Sequence, residues 1–166
     1  MGKKVYVNCK LFWAKLRDVD RDLGKNLPDG DIKKRIVEED GHYLVNCVID
    51  PDTKKKMVAD GIPAKGMQAQ LFKTDNDGQM FYKAKRPRQN PKLKDRETGD
   101  TLVLGPPTII KEVDGNNVEW NFEEDGLIGN GTEAIVKFDV WDGKITTLEA
   151  VKIVNHVKYE ADKDKF

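Results

Sequence analysis

The alternation of apolar and polar residues along the chain predicts β-strands. Its clearest run covers residues 5–16, which opens with an apolar side chain at every second position. The predicted core face comprises Val5, Val7, Cys9, Leu11 and Trp13. The opposite face mixes aromatic rings with a cation and an amide: Tyr6, Asn8, Lys10, Phe12 and Ala14. This second face is either half solvated or part of a ligand platform.

Further runs predict strands at 41–50, 67–73, 79–85, 101–104, 132–140 and 145–157. The alternation of the last run slips near Glu149, which predicts a β-bulge. One short helix is expected at 52–59, with Asp52 as its N-cap and Gly61 just beyond its end. Because the predicted strands do not alternate with helices, the pattern favours a small all-β barrel with long loops.

Residues 79–96 are the most basic part of the chain. They hold seven basic side chains against one acid, Asp95. The basic residues are Lys83, Lys85, Arg86, Arg88, Lys92, Lys94 and Arg96. The first half alternates as a strand, with Phe81, Lys83 and Lys85 on one face, whereas Pro87 and Pro91 predict a loop afterwards. An aromatic ring among cations suits single-stranded nucleic acid, and the alternative is a solvated charged loop.

Charge is unevenly distributed over the 166 residues. The chain has 29 basic and 29 acidic residues, so any affinity for nucleic acid must come from local clusters. Opposed to the basic segment is an acidic one, residues 112–125, with six acids and no base. Phosphates would avoid the acidic segment. The length and a hydrophobic content of 38% predict one folded domain.

Motifs for catalysis or cofactor binding are not found in the sequence. His42 and His156 are the two histidines, and Cys9 and Cys47 lie far apart without metal-ligand spacing. The acids of 112–125 could hold Mg²⁺ in a nuclease, but a solvated face is the simpler interpretation. We therefore expect no enzyme, metal or cofactor. With no membrane span or signal peptide predicted, we expect a cytoplasmic protein.

Four blocks of sequence, in this order, carry a resemblance to a known family. They are GHYLV at 41–45 with IDP at 49–51 and MVAD at 57–60; FYKAK at 81–85; LIGNGT at 127–132 with VKF at 136–138; and LEAV at 148–151. The third and fourth blocks are the most specific. Together they make the chain similar to the single-stranded DNA-binding proteins of tailed bacteriophages of the podovirus replication type.

The resemblance implies an OB-fold, a five-stranded Greek-key barrel with a short helix, over residues 1–157. It also implies sequence-independent coating of single-stranded DNA in phage replication, recombination and repair, in the host cytoplasm, by a monomer or homodimer. A flexible tail, 158–166, would end in Phe166 and contact a polymerase or helicase. Here the tail mixes three acids with Lys163 and Lys165, unlike the acidic tails of the family.

From residues and resemblance together we predict a nucleic-acid site. Its members are Tyr6, Lys10, Phe12, Phe81, Lys83, Lys85, Arg86, Arg88, Lys92, Lys94 and Trp141. Trp141 matches an aromatic position of the family, although it could also pack over the barrel rim. Tyr82 and Trp13 are predicted in the core, and Gly129 and Gly131 are predicted to turn the chain. The alternative functions are an RNA-binding OB protein, a protein-interaction scaffold and the nuclease.

Overall fold

The structure is a computed structural model that describes residues 2–17, 42–64, 71–94, 99, 101–141 and 145–158. Within these ranges the strands are β1 (Gly2–Lys15), β2 (His42–Val48), β3 (Phe72–Thr74), β4 (Met80–Pro87), β5 (Gln89–Lys94), β6 (Thr101–Val103), β7 (Thr108–Val113), β8 (Asn116–Glu119), β9 (Thr132–Trp141) and β10 (Ile145–Asn155). The helices are α1 (Pro51–Ala59) and α2 (Phe122–Asp125). The predicted all-β class is confirmed.

One large sheet, in the order β3-β4-β2-β1-β9-β10-β7-β8, organises the described chain. Its pairs are antiparallel except for β10 with β7, which is parallel. The sheet is open and has eight strands, which agrees with an all-β fold, whereas the five-stranded Greek-key barrel stays a prediction. Our pattern missed the β7–β8 hairpin because most of its side chains are exposed and its acidity suggested a solvated segment.

The core lies on the inner face of the sheet. Tyr82 is fully buried there, and its ring makes edge-to-face contacts with Phe138, at 5.4 Å between centroids, and with Phe72, at 4.7 Å. Burial raises the pKa of Tyr82 to about 12. The predicted core position of Tyr82 is therefore confirmed.

Trp13 does not lie in the core, contrary to our prediction. Its side chain is 64% exposed. A bulge in β1 shifts the register between Phe12 and Lys15, so that two residues of β1 oppose one residue of β2. Beyond the bulge the inward positions have the opposite parity, and Leu16 is buried.

Helix α1 has its N-cap two residues earlier than predicted. Asp50, rather than Asp52, is the N-cap, and its Oδ1 accepts a hydrogen bond of 2.7 Å from the Thr53 N–H. Pro51 occupies the first turn, where its missing donor costs nothing. Met57 is the residue of the helix that is buried in the core. Among the described residues, no helix is both long and apolar enough to cross a bilayer.

The segment before β9 turns the chain close to the backbone of Val157 and Lys158. A Cβ on Gly129 would lie 2.6 Å from the carbonyl oxygen of Val157, closer than atoms can approach. Gly131 has a φ of +94°, which glycine adopts without strain. The predicted structural role of these two glycines is confirmed, and so is the bulge near Glu149, where the β9–β10 register shifts between Leu148 and Ala150.

Candidate nucleic-acid interface

The outer face of β1, β2 and β4 brings together the core of the predicted site. Residues paired directly across antiparallel strands point to the same side of a sheet. One row runs Lys10–Val48–Phe81, and the next runs Phe12–Asn46–Lys83. Lys85 follows opposite Leu44, and Lys73 of β3 pairs with Phe81. We call these residues the cationic face: Lys10, Phe12, Lys73, Phe81, Lys83 and Lys85.

The cationic face combines two half-buried aromatic rings with accessible charge. On β1, β2 and β4 the described residues in its rows are basic or uncharged, and Glu133 of β9, which pairs with Lys10, borders the face on one side. Lys10, Lys73 and Lys85 form no ion pair with any residue that the structure describes. Strands lie about 4.8 Å apart, so the rings of Phe12 and Phe81 stand roughly 10 Å apart across the sheet. Phosphates and unstacked bases could both be bound here.

The same sheet face continues onto β9 and β10, where the cations are paired. Lys4 Nζ lies 2.7 Å from Glu149 and 3.5 Å from Asp139, and Lys137 lies 3.6 Å from Glu149. Lys152 pairs with Glu112 at 3.3 Å. We call this group the paired face: Lys4, Lys137, Lys152, Glu112, Asp139 and Glu149.

The pKa values of Lys4 and Glu149 reflect this pairing. The hydrogen bond to Glu149 is the main cause of a raised pKa for Lys4. Partial burial works to raise the pKa of Glu149, but the hydrogen bond from Lys4 and the charge of Lys137 outweigh it, and the net shift is downward. Charge on this half of the sheet is thus compensated within the protein.

Tyr6 and Trp141, both predicted site residues, lie with the paired face. Tyr6 is 57% exposed, and Lys137 Nζ lies 5.8 Å from its ring centroid. Trp141 is 49% exposed and pairs with Gly2 at the far end of β1. At about 3.3 Å per residue, the Gly2 row lies roughly 33 Å along β1 from Phe12. The structure therefore separates Trp141 from the cationic face.

Arg86 lies apart from the cationic face as well. It points to the inner side, and its guanidinium donates hydrogen bonds to three carbonyl oxygens: Gly105 at 2.8 Å, Leu104 at 3.0 Å and Leu148 at 3.2 Å. Burial lowers the pKa of Arg86. We assign Arg86 a structural role, which ties β4 to β10, in place of the predicted phosphate contact.

The remaining predicted site residues follow β4. Arg88 is half-buried, and its carbonyl accepts hydrogen bonds from Leu104 and Gly105. Lys92 and Lys94 belong to β5, which pairs with β6 in a separate two-stranded sheet instead of forming the predicted loop. Their side chains lie outside the described set, and so does Phe166.

The acidic segment lies at the opposite edge of the sheet from β4. Strands β7 and β8 end the sheet order, and α2 follows them. In α2, the hydrogen bond from Lys111 is the main cause of a lowered pKa for Asp125. Within the described residues, no group of three or more histidines, cysteines or acids is arranged to hold a metal ion. In the sheet order, β2, β1, β9 and β10 thus lie between β4 and the acidic hairpin β7–β8.

Sequence reasoning missed two features near the site. Lys73 joins the cationic face only through the β3–β4 register, which the sequence does not reveal. Trp13 lines a cavity of about 330 Å³ with Arg17, Phe122 and Asn130. The sequence did contain one indication of the bulge at Trp13. Leu11 and Leu16 are an odd number of positions apart, so a regular strand cannot direct both side chains into the core.

Comparison with solved structures finds proteins of similar fold. The crystal structure of gp2.5, a single-stranded DNA-binding protein encoded by bacteriophage T7, is similar to this chain with a TM-score of 0.56 and 18% sequence identity. The match covers 99% of this chain and 98% of that one. No family model matches the sequence, and no curated protein matches it. The chain therefore shares its overall fold with gp2.5, which agrees with the resemblance found in the sequence.

Proposed function

We propose that this protein binds single-stranded DNA without sequence preference, through the cationic face. The observation that carries the proposal is the arrangement of Lys10, Lys83 and Lys85 around Phe12 and Phe81 on β1 and β4, on either side of β2, with no carboxylate in the paired positions of these three strands. The whole-length likeness to the fold of gp2.5, named as a single-stranded DNA-binding protein, supports it.

Binding would use two kinds of contact. Lysines replace counterions condensed on the phosphates, which makes the affinity fall with salt. The two phenylalanine rings accept unstacked bases, and stacking is worth about 1–3 kcal/mol per base whatever the base is. Neither contact needs a covalent step, so the proposed activity is to coat and protect unwound strands.

The finer assignments follow from the resemblance. We propose that the strand order β4-β2-β1-β9-β10, which runs uninterrupted through the sheet, corresponds to the five strands of an OB-fold spanning residues 1–157. The proposed setting is phage DNA replication, recombination and repair in the host cytoplasm. Residues 158–166 would act as a tail that recruits replication proteins through Phe166.

The test is binding of a labelled homopolymeric oligonucleotide across a salt series, followed by fluorescence anisotropy. Changing Lys10, Lys83 and Lys85 together to Ala should flatten the plot of log affinity against log salt by ~2, at ~0.7 per lost phosphate contact. A matched RNA oligomer in the same series separates DNA binding from general single-strand binding.

The matched control removes three cations from the other half of the sheet. Lys4, Lys137 and Lys152, each paired with a carboxylate, are changed together to Ala. The control should keep the slope of the unmodified protein. Equal flattening in both variants, or no binding by the unmodified protein, would contradict the proposal.

A further inference from the structure

A cavity opens where β1 ends, beside the cationic face. It has a volume of about 330 Å³ and lies between the last residues of β1 and the segment that precedes β9. Its lining residues are Trp13, Ala14, Lys15, Leu16, Arg17, Phe122, Leu127, Ile128 and Asn130. It therefore offers an indole and a phenyl ring together with two cations.

The backbone of Trp13 is held in an unusual conformation. Its φ is +54°, in the left-handed region that a bulky residue rarely adopts. The Asn130 side chain fixes it there, since Oδ1 accepts a hydrogen bond of 2.8 Å from the Trp13 N–H. The indole gains little burial in return, because it is 64% exposed. Strain that core packing does not explain points to function.

Charge around the cavity favours an anionic ligand with an aromatic part. Lys15 and Arg17 line it, none of the lining residues that the structure describes is acidic, and the Arg17 guanidinium lies 5.6 Å from the Phe122 ring centroid. Glu123 and Glu124 directly follow Phe122 in α2, so negative charge is on the Phe122 side of the cavity. A phosphate backbone would therefore run along the side of Lys15.

The cavity is continuous with the cationic face. Trp13 directly follows Phe12, and Lys15 pairs with Leu44 in the row that ends at Lys85. A single strand of DNA that crosses Phe81 and then Phe12 would reach Trp13 next.

We propose that Trp13 is a base-stacking residue, and that its cavity takes one nucleobase of the single strand bound on the cationic face. This inference rests on the proposed function. The ring of Trp13 supplies the stacking surface, and Lys15 contacts the adjoining phosphate. Asn130 holds the indole in place through the backbone hydrogen bond, so it is a positioning residue.

The test compares variants of two exposed tryptophans on an oligothymidylate of about 20 nucleotides, longer than the ~4 to 16 of one OB-fold site. Trp13→Ala should weaken binding by about 5- to 150-fold, which corresponds to the loss of one stacked base. Trp13→Phe should keep most of the affinity. Trp141→Ala, the matched control on the paired face, should leave it unchanged.

Two further measurements separate stacking from folding. Trp13→Gly suits the left-handed backbone, so it should not lower the melting temperature although it loses the same affinity as Trp13→Ala. In a Trp141→Phe background, Trp13 is the exposed indole, because Trp120 is buried, and the oligonucleotide should quench its emission.

The outcomes also distinguish this inference from the proposed function. If the unmodified protein does not bind the oligonucleotide, both fail. If it binds, while Trp13→Ala binds equally well and no quenching occurs, the inference alone is wrong and the cavity takes another ligand, such as an aromatic side chain of a protein partner.

Discussion

The outer face of the sheet carries lysines on both of its halves, but their surroundings differ. In the cationic face the lysines of β4 lie opposite Asn46 and Leu44, and Lys10 lies between Val48 and Glu133. In the paired face Lys4 and Lys137 are paired with Asp139 or Glu149, and Lys152 is paired with Glu112. Lysine therefore has two roles on this sheet. In the cationic face it can contact a polyanion, and in the paired face it neutralises a carboxylate of the protein.

This difference shows why the net charge of zero says little about function. When a phosphate binds at a lysine that is already paired with a carboxylate, counterion release adds nothing to the affinity, because the carboxylate must first be displaced. A lysine without such a partner contributes its full charge. Under the proposed function, the affinity for DNA would be set by which cations are compensated locally, and the register between strands decides which cations these are.

The largest expected effect tests whether β4 really separates core from interface. Tyr82→Ala would remove a fully buried ring and should destabilise the fold by about 3–5 kcal/mol, measured by denaturant unfolding. Phe81→Ala, one residue away on the outer face, should weaken single-strand binding by ~1 to 3 kcal/mol with little change in stability.

Measuring both properties for both variants makes this test two-sided. If Phe81 proves to be the stabilising residue and Tyr82 the binding one, the register of β4 is shifted by one. The assignment of Lys83 and Lys85 to the cationic face would then fall as well, because the side-chain period of a strand is two.

A smaller effect should distinguish the two halves on a single strand. Phe12 and Tyr6 lie on the same side of β1, three positions of alternation apart, in the cationic and the paired half respectively. Phe12→Ala should weaken binding of an oligothymidylate by ~1 to 2 kcal/mol, at the lower end for a ring that is already half-buried. Tyr6→Ala, the matched control, should bind like the unmodified protein, and a larger loss there would extend the interface across the whole sheet.

Much of the fold could be predicted from local pattern. Alternation located the central strands, the buried face of Tyr82 and the bulge near Glu149, because each depends on residues close in sequence. Alternation also indicated the side of β4 on which Arg86 lies. Arg86 is an even number of positions from Tyr82 and Ala84, so its side chain points inward as theirs do. We placed Arg86 in the interface on charge alone, although its carbonyl partners lie in other parts of the chain.

The rest of the candidate site depends on long-range contacts. The bulge at Trp13 is held by Asn130, 117 residues away in sequence, and no local pattern specifies such a hydrogen bond. The division into a cationic and a paired face likewise depends on which strands are neighbours, as with Lys4 beside Asp139. Composition shows how many charges there are, but only the register shows which of them are compensated.

The smallest expected effect tests the compensation itself. The lowered pKa of Glu149 means that its ionised form stabilises the folded state, and this contribution is present above its ordinary pKa of 4.5 and is lost as the pH falls through the folded value. Glu149→Gln should therefore lower the stability by less than about 1 kcal/mol at pH 7, as expected for a pair that is partly exposed to solvent, and show a shallower loss of stability below about pH 4.5. Urea unfolding at several pH values measures this, with the exposed Glu119→Gln as control. If both variants follow the pH dependence of the unmodified protein, the paired face is not electrostatically compensated, and the contrast between the two halves loses its physical basis.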